Sequence, residues 1–231
     1  MGYLQTANNS GPVAGITTSV ALIGVTAGST IVIAVSMKSE NRVIDTLVSS
    51  LSGTITQQAR EANADNGEAL EVWILPNASA GDHTFTITFD TSAQTASWAM
   101  ALEYGSVDAA SFDVDDSSQA SNATSVAVGP TATTAQADET VIAIGRSTSA
   151  SRPFTDPAGF TNRVSLDTTR FVAWDKTVSA TGTQSVTLDV TGGNSNFEAW
   201  VGTLKNSGGG GEPPPPSPVI VGKRFKGLIY A

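Results

Sequence analysis

Apolar and polar residues alternate along most of this chain. "HTFTITF", His83 to Phe89, puts Phe85, Ile87 and Phe89 on one face and Thr84, Thr86 and Thr88 on the other, the two-residue period of a β-strand. "SVTLDV" repeats it with Val186, Leu188 and Val190. In the first half the pattern predicts strands over Ser19–Gly24, Thr30–Met37, Arg42–Ser49, Gly53–Glu61, Ala69–Leu75, His83–Phe89 and Ala96–Tyr104. Only "TQQAREANADNGEALE" invites a helix. Its Asp65-Asn66-Gly67 turn signal splits it into the two arms of a hairpin.

The pattern also returns on itself. Thr18–Val35 reappears as Thr124–Gly145, and Leu70–Phe89 as Phe171–Val190, which pairs Trp73 with Trp174 and Gly81 with Gly182. With one inserted residue Ser97–Ser106 matches Glu198–Ser207, pairing Trp98 with Trp200. An internal duplication follows, and an all-β fold of two tandem antiparallel β-sandwiches, immunoglobulin-like or jelly-roll, with an extended C-terminal tail. The alternative is one larger jelly roll whose halves are the two copies. The expected boundaries are a first sandwich over 1–106, an acidic inter-repeat linker over 107–122, a second sandwich over 123–206, a Gly/Pro linker over 207–218 and a C-terminal docking strand over 219–231.

Composition sharpens this. Only 14% of the 231 residues are charged, and Thr, Ser, Ala, Val and Gly fill the gap, as suits short strands and small-residue turns. The net charge of −9 excludes nucleic acid as a partner for the body. No apolar run reaches the roughly 20 residues of a membrane helix. "MGYLQTANNSGPVAG" has neither the basic start nor the apolar run of a secretory signal, so synthesis and folding in the producing cell's cytoplasm are expected.

Little chemistry is offered. The chain has no cysteine and one histidine, His83, read as an exposed turn residue whose counterpart is Gln184. No G-x-S-x-G elbow and no phosphate-binding glycine pattern occur. Asp113, Asp115 and Asp116 read as solvated linker acids, since the glycine and glutamate of a calcium loop are missing. No catalytic residue, metal ligand or cofactor is therefore expected. Trp98 shares its face with Met100 and Leu102 and reads as core, with Trp200 alongside. Trp73 and Trp174, on mixed faces, are the candidates for stacking on a glycan.

The ending is different in kind. Ser207–Gly211 is a flexible hinge, and Pro213–Pro216 with Pro218 a semi-rigid spacer reaching roughly 19 Å. "VIVGKRFKGLIYA" then reads as a strand. Residues 212–231 carry Lys223, Arg224 and Lys226 against Glu212, a net of +2, which leaves −11 on the rest of a chain whose total is −9. An apolar, basic strand held away from an acidic body reads as a docking element, and Val219, Val221, Lys223, Arg224, Phe225, Lys226, Leu228, Ile229 and Tyr230 are its expected contact residues.

The tandem Thr/Ser-rich layout, with phrases such as "EVWILPNASAGDHTFTITF" followed by "WAMALEYG", resembles the immunoglobulin-like or jelly-roll modules of tailed-bacteriophage virions. The resemblance covers residues 15–205 and implies a non-enzymatic virion structural protein, a capsid-decoration or head-fibre protein on the virion surface, assembled in the host cytoplasm. The resemblance does not extend to the tail; the docking strand is read from composition alone, and its expected partners are a major capsid protein, other virion subunits or further copies, in a homo-oligomer. The alternative is a carbohydrate-binding or adhesin module on a phage or bacterial surface, with a surface glycan as partner.

Overall fold

Gly, Asn, Asp and Pro turns cut the alternating segments into short antiparallel strands. A computed structural model describes residues 2–9, 15–65, 67–90, 97–149 and 151–208. They form fifteen strands and no helix. The first half contains β1 (Gly2–Asn8), β2 (Thr17–Val25), β3 (Thr30–Met37), β4 (Ile44–Ser49), β5 (Thr56–Asn63), β6 (Glu68–Leu75), β7 (Gly81–Phe89) and β8 (Ser97–Gly105). The second contains β9 (Val107–Ala123), β10 (Ser125–Val128), β11 (Asp138–Ser147), β12 (Thr161–Leu166), β13 (Phe171–Ser179), β14 (Val186–Asp189) and β15 (Ser195–Asn206). All seven first-half strands expected from the alternation are present, β5 and β6 as the hairpin around residue 66.

Each half is a sandwich of one wide and one narrow sheet. The first has β1-β8-β3-β6-β5 over β2-β7-β4; the second has β9-β15-β11-β13-β12 over β10-β14. Taken strand for strand, the two wide sheets have the same order. Both follow the eight-strand jelly-roll path, with the fifth strand beside the sixth. The third narrow-sheet strand, β4 in the first half, shrinks in the second to one bridge, Phe154 to Val190.

Register tells equivalent residues apart. Ile33 faces Trp73 and Ala143 faces Trp174, so those two tryptophans do occupy equivalent places. Ser36 faces Trp98, whereas Ile144 faces Trp200 and Arg146 faces Glu198. Trp98 therefore corresponds to Glu198, and Trp200 to Met100. The pairing of Trp98 with Trp200 from sequence is two places out, a slip that leaves the face unchanged because the strand period is two.

Three hydrophobic layers hold the stack. Val20, Leu22, Phe85, Ile87 and Phe89 of the narrow sheet meet Ile31, Ile33 and Val35 of the wide sheet in the first half. Val126, Val128, Val186 and Leu188 meet Val141, Ala143, Trp174 and Val201 in the second. The third layer lies between the two wide sheets, where Val32, Ala34, Val72, Trp98, Met100, Leu102 and Tyr104 meet Ile142, Ile144, Phe171, Ala173, Trp200 and Leu204. Every residue of β3 and of β8 is buried because both of their faces are covered. The molecule is thus four sheets deep.

The segment 107–122 is not a linker. It is β9, the edge strand of the second wide sheet, paired with β15 from Val107↔Asn206 to Ala123↔Ser195. Only Ser106, in the left-handed region at φ 53°, separates β8 from β9. Three acids of β9 are half-buried, and each accepts a hydrogen bond. Asp113 takes the Ala135 N–H (2.6 Å), Asp115 the Trp200 Nε1–H (2.8 Å) and Asp116 the Gly129 N–H (2.9 Å). The sequence expectation weighed their charge and not these donors.

Candidate functional site

The seam between the halves holds a cluster of buried charge. Its position follows from register: Arg146 occupies in β11 the place of Ser36 in β3, on the face that meets the other half. The fully buried Arg146 guanidinium donates from Nε to Glu68 Oε2 (2.9 Å) across the seam and from Nη1 to Asp167 Oδ2 (2.7 Å), and lies 5.2 Å from the Trp98 ring centroid. Arg170 also donates to Asp167, from Nη2 (2.5 Å). Burial alone pushes the Asp167 carboxyl up, but the bonds from Arg170 and Arg146 outweigh it and hold it below its usual range. At another point of the seam Arg163 binds Asp175 (2.8 Å) and lies over Tyr3. These groups pair with one another, although Arg146 Nη2 is buried without a hydrogen-bond partner among the described residues, and the arrangement ties the halves together.

A carboxyl pair sits at the start of β11. Glu139, buried beside Asp113, accepts the Gln136 N–H at 3.4 Å. Burial raises its carboxyl, the facing Asp113 raises it further, and it titrates at about 7. Asp115 is likewise raised by burial, against the Trp200 bond that lowers it. Trp200 reaches Asp115 because its indole lies across Gly202: a Cβ there would stand 2.1 Å from Cζ2. Among the described residues no group of three or more His, Asp or Glu side chains converges as metal ligands would.

The sequence candidates fare unequally. Trp174 is fully buried, edge-to-face with Phe154 at 5.5 Å, its Nε1 donating to Asp156 (2.8 Å). It has no ring face left for a sugar. Trp73 is half-buried against the first core and donates to Glu71 Oε2 (3.1 Å). His83 is not an exposed turn residue; it is a fully buried member of β7. Its Nε2 bonds the Ser79 carbonyl (2.9 Å), its Nδ1 bonds Ser49 Oγ (2.8 Å), and its ring stacks on Phe85. These neighbours come from β4 and from the turn before β7, so local sequence did not reveal them. Trp98 and Trp200 are core, as expected, but the core of the seam. Val219, Val221, Lys223, Arg224, Phe225, Lys226, Leu228, Ile229 and Tyr230 lie outside the described residues.

Two grooves open on the surface. One, of about 750 Å³, runs beside β1, β2 and β7, lined by Asn8, Asn9, Thr17, Ser19, Thr84 and Thr86 among others. It offers amides and hydroxyls and no aromatic face. The other, of about 350 Å³, lies beside β14, with Asp156, Pro157, Phe160, Lys176, Thr187 and Asp189 in its walls. There the Lys176 ammonium sits 4.6 Å from the Phe160 ring centroid, and burial lowers its pKa.

Comparison with known proteins returns no matching family model, no matching curated protein and no matching solved structure.

Proposed function

We propose that this is a non-enzymatic structural protein of a virion, a capsid-decoration or head-fibre protein of the tailed-bacteriophage kind. Its C-terminal strand, residues 219–231, would fasten it to the shell or to sibling subunits, at the virion surface and as a homo-oligomer. The supporting observation is the seam. It joins two sandwiches of one strand order, which we take to be an internal duplication, into a single four-sheet stack, so that the chain is built as one projecting body. The charge division supports the same reading, with −11 on the body and +2 on the last twenty residues. Deleting residues 212–231 should leave the stack folded and abolish incorporation into particles; incorporation at the normal level would end this reading.

A second reading, a carbohydrate-binding or adhesin module, draws on the half-buried Trp73 and on the hydroxyl- and amide-lined groove beside β2. It requires a glycan-array signal that Trp73→Ala removes, and an array without signal rejects it.

A further inference from the structure

The two narrow sheets differ by one strand, and among the described residues the place of the missing strand is open. In the first half β4 covers the outer edge of β7: Leu47 faces Ile87 and Val48 faces Thr86, after which the Ser50 N–H donates to the Thr84 carbonyl and Ser50 Oγ accepts the Thr84 N–H, each at 2.9 Å. The second half begins in the same way. Phe154 bridges Val190, and the Thr155 N–H donates to the Asp189 carbonyl at 2.9 Å. Pro157 then comes opposite Thr187, where the first half sets Val48 opposite Thr86. Proline has no N–H, so the ladder stops and the chain turns away.

The edge left behind can be read from parity. Val190 donates to Thr124, and Gln184 exchanges bonds with Thr131, so the even-numbered residues point to the β10 side. Thr183, Ser185 and Thr187 therefore turn their N–H and C=O groups to the other side, where no described strand pairs with them. All three are exposed. The 350 Å³ groove lies along this edge and places an apolar wall, Pro157 and Phe160, next to the carboxylates of Asp156 and Asp189.

We propose that this edge accepts, as an added strand, residues 219–231 of a second copy of the chain. Three observations select that occupant. An open edge is completed by an extended segment, and strand addition draws on main-chain bonds plus alternate side-chain pockets. The segment alternates Val219, Val221, Phe225 and Ile229 with Lys223, Arg224 and Lys226 close by, matching an apolar wall where the carboxylates of Asp156 and Asp189 outnumber the one cation described there, Lys176. Geometry favours a second copy over the chain's own tail. The Asn206 carbonyl accepts from Gln136 Nε2 (3.0 Å), near where Thr134 bonds Gly182, so the chain leaves β15 at the end of the sandwich where the open edge begins. At roughly 3.4 Å per residue that edge is about 14 Å long, shorter than the roughly 19 Å spacer the sequence predicts, which carries the segment past its own acceptor. The inference rests on the C-terminal segment being a docking strand and adds the surface it meets.

The chain has no cysteine, which makes the test direct. Thr187→Cys is made in one full-length preparation and Val221→Cys, Phe225→Cys or Ile229→Cys in another, and equimolar mixtures are oxidised. At least one mixture should give the mixed disulfide dimer at ten or more times the yield obtained with Thr84→Cys, a position on the covered edge of β7. Asp189→Lys in the acceptor should lower that yield several-fold. Equal yields from Thr187→Cys and Thr84→Cys would overturn the proposal. So would a chain carrying both Thr187→Cys and Phe225→Cys that closes on itself without dimerising. If the disulfide fails to form while deletion of residues 212–231 still abolishes incorporation, the acceptor edge is wrong and the docking reading stands.

Discussion

The two halves share a strand path and, at β3–β6 and β11–β13, a register, yet they are finished differently. The first narrow sheet has three strands and covers β7 on both sides; the second has two and a single bridge. On the seam the inequality runs the other way: the second half supplies Arg146 where the first has Ser36. One strand path therefore occurs with a closed outer edge in the first half, and in the second with a strong inner lock and no described strand on the outer edge. Where two copies of a frame differ, the difference is a better guide to role than the frame.

The sharpest way to break this comparison is at the seam. Arg146→Ala takes the buried cation from Glu68 and leaves Asp167 with Arg170 alone, and should cost about 3–5 kcal/mol, read by denaturant unfolding. Near the same size, Trp174→Ala should cost about 3–5 kcal/mol, because the ring is wholly buried and its N–H is bonded. Trp73→Ala, at the equivalent but half-buried position, should cost less than half as much.

A pH titration gives a smaller effect with a definite sign. Glu139 is raised to about 7 in the folded chain, so between its ordinary value of 4.5 and about 7 the folded chain keeps a proton that the unfolded chain releases. Stability should fall as pH rises through that window, with the full penalty present above it. Glu139→Gln should stabilise the protein by about 1–2 kcal/mol at pH 8 and change little at pH 4. The smallest effect belongs to Ser36→Ala, within about 0.5 kcal/mol. Its buried hydroxyl has no hydrogen-bond partner, so removing it forfeits no bond.

How far the sequence could be read depends on where each residue finds its partners. Alternation located the strands of the first half because one-sided burial writes a two-residue period into "HTFTITF". The nearly unbroken apolar runs of β3 and β8 carried a further message, burial on both faces, and hence a sandwich packed against another sandwich. β9 defeated pattern reading. An edge strand needs a partner on one side only, and its acids are satisfied by Trp200, Gly129 and Ala135, 13 to 85 residues away in sequence. His83 was misplaced for a related reason, its nearest bonded side chain, Ser49, coming from β4. Of the candidate site, the docking segment was visible as composition, whereas the acceptor edge depends on Pro157 standing in the place of Val48. That equivalence emerges only once register is known.

The comparison of the two edges can be tested at the amides themselves. Hydrogen exchange of the full-length chain should show the Thr84 N–H protected at every concentration, because Ser50 covers it. The Thr187 N–H should exchange freely when the protein is dilute and become protected as concentration rises and strands arrive from other copies. A Thr187 amide that stays unprotected at high concentration, or is already protected at high dilution, would contradict an open edge filled by a neighbour.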